Sequence, residues 1–166
     1  MWATLIGLVE DGECVMGLVS APALGRRWWA AKGAGAWSGR SLAKAEQIHV
    51  SKVGEVADSS FSYSSIDGWR EAGRGMSFLR LTSEVWRTRA YGDFWSYMLL
   101  AEGAVDAAAE PELELYDMGA LVAIVTEAGG RFTSLEGEDG PWGGNALATN
   151  GLLHDAYLDR LAPDES

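Results

Sequence analysis

From residue 85 to residue 161 the chain alternates β-prone runs with helix-prone runs, and this alternation constrains the fold more than any other feature. Residues 85–90 read as a strand, 94–102 as a helix and 105–109 as a strand of small residues. Residues 117–128 form the clearest helix. Met118, Leu121, Val122 and Val125 recur there at i, i+3, i+4 and i+7, which places them on one face. Gly129-Gly130 then supplies a left-handed C-cap. Residues 131–134 and 146–149 read as strands around a glycine-rich loop at 137–144, and 152–161 as a last helix. A chain patterned in this way packs helices on a mostly parallel or mixed sheet, an α/β lobe.

The opening third reads differently. An apolar run over 2–10 ends in Asp11-Gly12, a hairpin signal, and 13–20 reads as the returning strand. Pro22 and Gly25 break it, and 26–32 forms a third strand carrying Trp28 and Trp29. Gly33, Gly35 and Gly39 mark turns around Trp37. These strands make an antiparallel meander with an exposed edge. Residues 48–51 read as a short edge strand and 59–63 as a strand, and Ser65-Ile66-Asp67 caps a short helix running to about residue 74. No internal repeat or linker is visible. The expected division is 1–50 for the antiparallel sheet and 51–166 for the α/β lobe.

Charge and cysteine content narrow the function. The formal net charge is −11, which excludes a nucleic-acid backbone as partner, since that needs a basic stripe. A single cysteine, Cys14, forbids an internal disulfide. No apolar run reaches membrane-spanning length. The start has no basic segment or cleavage site, so the expected location is the cytoplasm.

Three carboxylates stand at strand ends or helix starts. Asp93 follows Gly92 between a strand and a helix, Glu110 ends the 105–109 strand, and Asp117 opens the clearest helix. In an α/β sheet such positions converge on one crevice, and grouped carboxylates suit a hard cation such as Mg²⁺. Taken singly, each has a plainer reading: Asp93 and Asp117 as helix caps, Glu110 as a solvated strand end. His49 and His154 lack metal-site spacing and read as structural.

These segments resemble the C-terminal half of the inositol-monophosphatase family. There a strand–Gly–helix segment, a D-A-x-x-E strand and a W-D helix start occur in this order. Asp106-Ala107 with Glu110 matches the second, and Tyr116-Asp117 matches the third. The resemblance runs from Trp2-Ala3-Thr4-Leu5-Ile6 to Asn150-Gly151-Leu152-Leu153-His154. The run from Ser20-Ala21-Pro22 to Trp28-Trp29, with Gly92-Asp93-Phe94-Trp95, is most similar to the bacterial histidinol-phosphate phosphatases. The resemblance implies the C-terminal part of a layered αβαβα sugar-phosphatase fold and a Mg²⁺-dependent phosphomonoesterase, dimeric at full length. Its substrate would be a small phosphorylated molecule, histidinol phosphate in histidine biosynthesis. It also implies that Asp117 is a metal ligand, that Glu110 contacts a substrate hydroxyl or amine, and that Gly92, Asp93 and Phe94 line the substrate pocket. An acid and two aromatics after the glycine suit a substrate with an ammonium group and an imidazole. Plain core packing is the simpler reading of Trp95.

The family's other ligands, a glutamate pair and a D-P-(I/L)-D-G-T segment, have no counterpart in the sequence. Met1 is expected to fall just past that motif, as an initiator read from a GTG valine codon would. One ligand cannot hold a family metal centre, so the chain alone is expected to be inactive or nearly so. Tyr116 in place of Trp and Gly119 in place of Ala are smaller departures. Rival readings are an inositol-1-phosphate or sugar-phosphate phosphatase, and a non-catalytic relic or interaction module.

Overall fold

The computed structural model describes residues 2–164, and the expectation about Met1 lies outside them. Asp11 and Gly12 both take positive φ, 50° and 82°, as a tight type I′ hairpin turn requires. They join β1 (Thr4–Glu10) to β2 (Glu13–Ala21). A 3-10 turn at Pro22–Leu24 leads into β3 (Arg26–Ala31). The meander continues past the expected three strands, through β4 (Ala36–Gly39) and β5 (Ala45–Ile48), to five antiparallel strands in sequential order. The glycine-flanked run around Trp37 is thus a strand, and the expected edge at 48–51 keeps only Ile48.

The two-residue period of a strand sorts this sheet's faces. Val19, Trp28, Ala30 and Ala36 are buried on one. On the other, strand register aligns Ile6, Leu18, Trp29 and Trp37 in a row across β1 to β4.

The second sheet contains β6 (Ser60–Ser62), β7 (Arg87–Arg89), β8 (Ala107–Glu110), β9 (Arg131–Thr133) and β10 (Ala146–Thr149). Their spatial order is β7-β6-β8-β10-β9. β6 runs parallel to β7 and β8, whereas β10 is antiparallel to β8 and β9, so the sheet is mixed.

The helices are α1 (Asp67–Glu71), α2 (Gly75–Glu84), α3 (Asp93–Ala101), α4 (Leu115–Glu127) and α5 (His154–Arg160). Neighbouring residues of the mixed sheet face opposite cores. Ala108, Ala146 and Ala148 join a cluster with Tyr97 and Met98 of α3, Leu121 and Ile124 of α4, and Trp28 of the meander. Ala107, Ala109 and Leu147 face Trp69 of α1, Phe78 of α2 and Tyr157 of α5. The layers therefore run sheet, helices, sheet, helices, with α3 and α4 between the sheets.

α4 approaches the meander unusually closely. A Cβ on Gly7 would stand 2.8 Å from the carbonyl carbon of Gly119 and 2.9 Å from the amide nitrogen of Ala120. Such distances leave no room for a side chain. Gly17, paired with Gly7 across the strands, would collide with the Ala120 carbonyl. Asp106 ties the mixed sheet to its flanks. Its carboxylate accepts the Ser60 N–H at 2.6 Å and the Ser51 hydroxyl at 2.5 Å.

Candidate active site

The junction before α3 is held in an uncommon backbone conformation. Gly92 lies at φ 73°, ψ 162°, a region essentially limited to glycine. A Cβ there would meet only Ser64, at 3.7 Å, so the backbone rather than lack of space requires glycine. Asp93 follows at φ 50°, a left-handed value that Asp tolerates better than most residues. It is the first residue of α3, one position earlier than the expected helix start. There the helix dipole favours a negative charge.

Asp117 is delivered by α4, which begins at Leu115 rather than Asp117. Glu114 is the N-cap residue, with an extended backbone and no side-chain cap. Asp117 therefore does not cap the helix, and its N–H donates to the Glu114 carbonyl at 3.0 Å. Its half-buried carboxylate and the exposed Asp93 line one cavity of about 250 Å³. Leu5, Phe94, Tyr97 and Leu121 complete most of its wall, and among the described residues no Lys or Arg lines it. Phe94 is both core and wall, meeting Trp28 edge-on with ring centroids 6.4 Å apart. Trp95 packs on Tyr91 at 5.5 Å, in keeping with a packing role.

Glu110, the last residue of β8, is 5% exposed, which overturns its reading as a solvated strand end. Ser64 donates to its Oε2 at 2.8 Å, whereas Oε1 is buried without a partner. Burial pushes the carboxyl up to about 7. The Ser64 hydrogen bond opposes the rise, and the charges of Asp93 and Asp117 add to it. Tyr97, fully buried, also has an unpartnered hydroxyl. Burial, then the charges of Glu110 and Asp117, raise it well above the usual phenol value.

The chemistry of these oxygens suits a hard cation, and Glu110 Oε1 is a buried acceptor without a hydrogen-bond partner. Their spacing is less favourable: among the described residues no group of three or more His, Cys, Asp or Glu side chains could hold an ion. The described residues therefore offer oxygen donors for part of a metal site and not for a whole one.

Ser64 and Tyr97 escaped the sequence reading. Tyr97 lies four residues after Asp93, hence on the same helix face, and that spacing was available as a signal. Ser64 carries no motif and is placed only by the parallel pairing of β6 with β8. A larger cavity of about 420 Å³, lined by Cys14, Lys32, Arg131 and Trp142 among others, holds none of the expected site residues. His154 is buried between two threonine hydroxyls, Thr133 at 2.9 Å and Thr149 at 3.0 Å, in a structural role. No helix among the described residues is long and apolar enough to cross a membrane.

Residues 1–164 match the inositol monophosphatase family. The chain is 61% identical over 165 residues to a histidinol-phosphatase of Streptomyces coelicolor, covering 97% of the chain and 62% of that relative. It is 56% identical over 161 residues to one of Mycobacterium tuberculosis, with the same coverage. Among solved structures, an inositol monophosphatase from Zymomonas mobilis superposes with a TM-score of 0.87 at 27% identity, over 96% of this chain and 62% of that one. The chain thus spans about 62% of the length of these curated relatives.

Proposed function

The chain belongs to the inositol monophosphatase family, and on that premise we propose that it is the substrate-reading part of a phosphomonoesterase for histidinol phosphate in histidine biosynthesis. The observation that carries the reading is the meeting of Asp93, Phe94 and Asp117 in one cavity. The Asp117 side suits the cation that would meet a phosphate, and Asp93 beside the Phe94 ring suits an ammonium and an imidazole. The identity to relatives named histidinol-phosphatase supports the same substrate.

Mg²⁺ is the proposed cofactor, with Asp117 as the ligand this chain supplies. When bound, it activates water and offsets the charge of the phosphate and leaving oxygen. The chain's own residues orient the substrate. Gly92 fixes the backbone that presents Asp93, Phe94 offers an aromatic edge to an imidazole, and Glu110 stands behind as an acceptor. The proposed setting is cytoplasmic, and the proposed full-length assembly is a homodimer.

One ligand leaves a family metal centre far from complete, so the 166 residues alone are proposed to turn over little or no substrate. Phosphate release from histidinol phosphate with Mg²⁺ tests this directly. The expected result is a rate near background. A rate typical of an ordinary phosphatase, roughly 1–10³ s⁻¹, contradicts it.

A further inference from the structure

Three arginines, Arg26, Arg27 and Arg40, line an open concavity of about 580 Å³ at the connection between β2 and β3. Pro22, Ala23 and Leu24 of the 3-10 turn form its apolar side, and among the described residues no Asp or Glu lines it. The chain has 13 basic and 24 acidic residues, so a wholly basic wall runs against its overall charge. Arg26 is already balanced. It pairs with Glu102 at 2.5 Å, donates to Ser38 at 2.8 Å and lies over the Trp28 ring. Arg27 and Arg40 are not balanced. Arg27 Nη1 donates to the Arg40 carbonyl at 2.7 Å, a bond that uses one donor and offsets no charge. The Arg40 side chain folds over the turn, with its Nε 4.0 Å from where a Cβ on Gly25 would stand. Among the described residues its guanidinium makes no hydrogen bond or ion pair.

We propose that this concavity is a binding site for a phosphate dianion, carried by a small phosphomonoester with an apolar body. Two like charges held at one turn repel each other, and an anion between them removes that repulsion. A phosphomonoester carries about −1.5 to −2 charges at pH 7, which matches the two unbalanced guanidinium groups. Each guanidinium presents a planar fork of donors that fits two phosphate oxygens at once. The apolar side of the turn gives the rest of the molecule a surface to lie on. This site is separate from the Asp93–Asp117 cavity and does not depend on its reading. Arg26 is tied to Glu102, the residue after α3, whereas Asp93 is the first residue of that helix.

The test is a two-dimensional amide NMR titration of the 166-residue chain at pH 7 with phenyl phosphate and, separately, with inorganic phosphate. Sodium chloride at matched ionic strength is the blank. EDTA is present and Mg²⁺ absent, so no phosphate is held through a metal. The expected result is saturable shifts at the Gly25, Arg27 and Arg40 amides, with phenyl phosphate the tighter ligand. Arg40→Gln and Arg27→Gln should each weaken it about tenfold, the loss of one charge-assisted contact, and leave the rest of the spectrum in place. Lys52→Gln, which removes an exposed cation that does not line the concavity, should leave the affinity unchanged. Shifts that grow linearly without saturating, or that chloride reproduces, overturn the site. Equal weakening by Lys52→Gln also overturns it, by reducing the effect to net charge. Inorganic phosphate binding as tightly as phenyl phosphate overturns the part given to the apolar turn and assigns the seat to free phosphate.

Discussion

Gly7 and Gly17 stand directly opposite each other on β1 and β2, and the backbone of α4 rests in the notch they leave. That contact fixes the height of α4 over the meander, and with it the position of Asp117 two residues inside the helix start. Gly17→Ala drives a methyl into the Ala120 carbonyl. The expected loss is at least the 1–3 kcal/mol typical of an overpacked core, read from urea denaturation. Gly119→Ala is the control, since a Cβ there meets nothing within 4 Å. It should be neutral, or stabilising by up to about 1 kcal/mol through helix propensity.

Glu102, just after α3, accepts from Arg26 through two nitrogens, at 2.5 and 3.2 Å, and from Trp28 Nε1 at 2.5 Å. This network clamps the meander to the helix that begins with Asp93. Glu102→Ala leaves the buried indole N–H without an acceptor and is expected to cost about 2 kcal/mol. Glu102→Gln, which keeps an acceptor, should recover part of that loss in the same denaturation experiment.

Stability should fall on both sides of a mildly acidic optimum. Burial, aided by the Arg131 charge and opposed by Asp155 and Asp139, lowers the His154 imidazole to about 4. The unfolded chain takes up that proton near 6.5, so stability present above 6.5 drains away as the pH falls toward 4. Glu110 acts in the opposite sense. Its carboxyl titrates near 7 when folded and near 4.5 when unfolded, so stability present below 4.5 is lost as the pH rises through 7. Each shift is worth about 3 kcal/mol at full extent. Glu110→Gln should therefore be more stable than wild type at pH 8 and close to it at pH 4.5, as read by chemical denaturation.

Asp93 contributes charge at the cavity rim. Asp93→Asn keeps the polar shape and the tolerance for left-handed backbone while removing the charge. Histidinol affinity should fall about tenfold by calorimetry, the loss expected for one charge-assisted contact, with little change in melting temperature.

What could be read from the sequence depended on how regular each element is. The Asp11-Gly12 hairpin and the 146–149 strand were legible because turn chemistry and small-residue alternation leave few options. α4 was legible from Met118, Leu121, Val122 and Val125, yet its start was misplaced. Glu114 caps by backbone geometry alone, and Asp117 looked like the cap. α2 went unassigned because Met76 and Leu79 are exposed while Ser77 is buried, which blurs the helical period. β4 disappeared among its glycines. At the site, Gly92, Asp93, Phe94, Glu110 and Asp117 were named from motifs. Tyr97 was marked only by its four-residue spacing from Asp93, and Ser64, which meets Glu110 across segments distant in sequence, has no local mark.

The central claim is that the Asp93–Asp117 cavity receives the cationic end of an amino-alcohol phosphate. A crystal of the chain soaked with L-histidinol phosphate tests it most directly. The account predicts difference density in that cavity, with the amine nitrogen within hydrogen-bonding distance of Asp93 or Glu110. Density placing the phosphate against Asp93, or the ligand bound in the larger cavity beside Arg131 and Trp142, would contradict it.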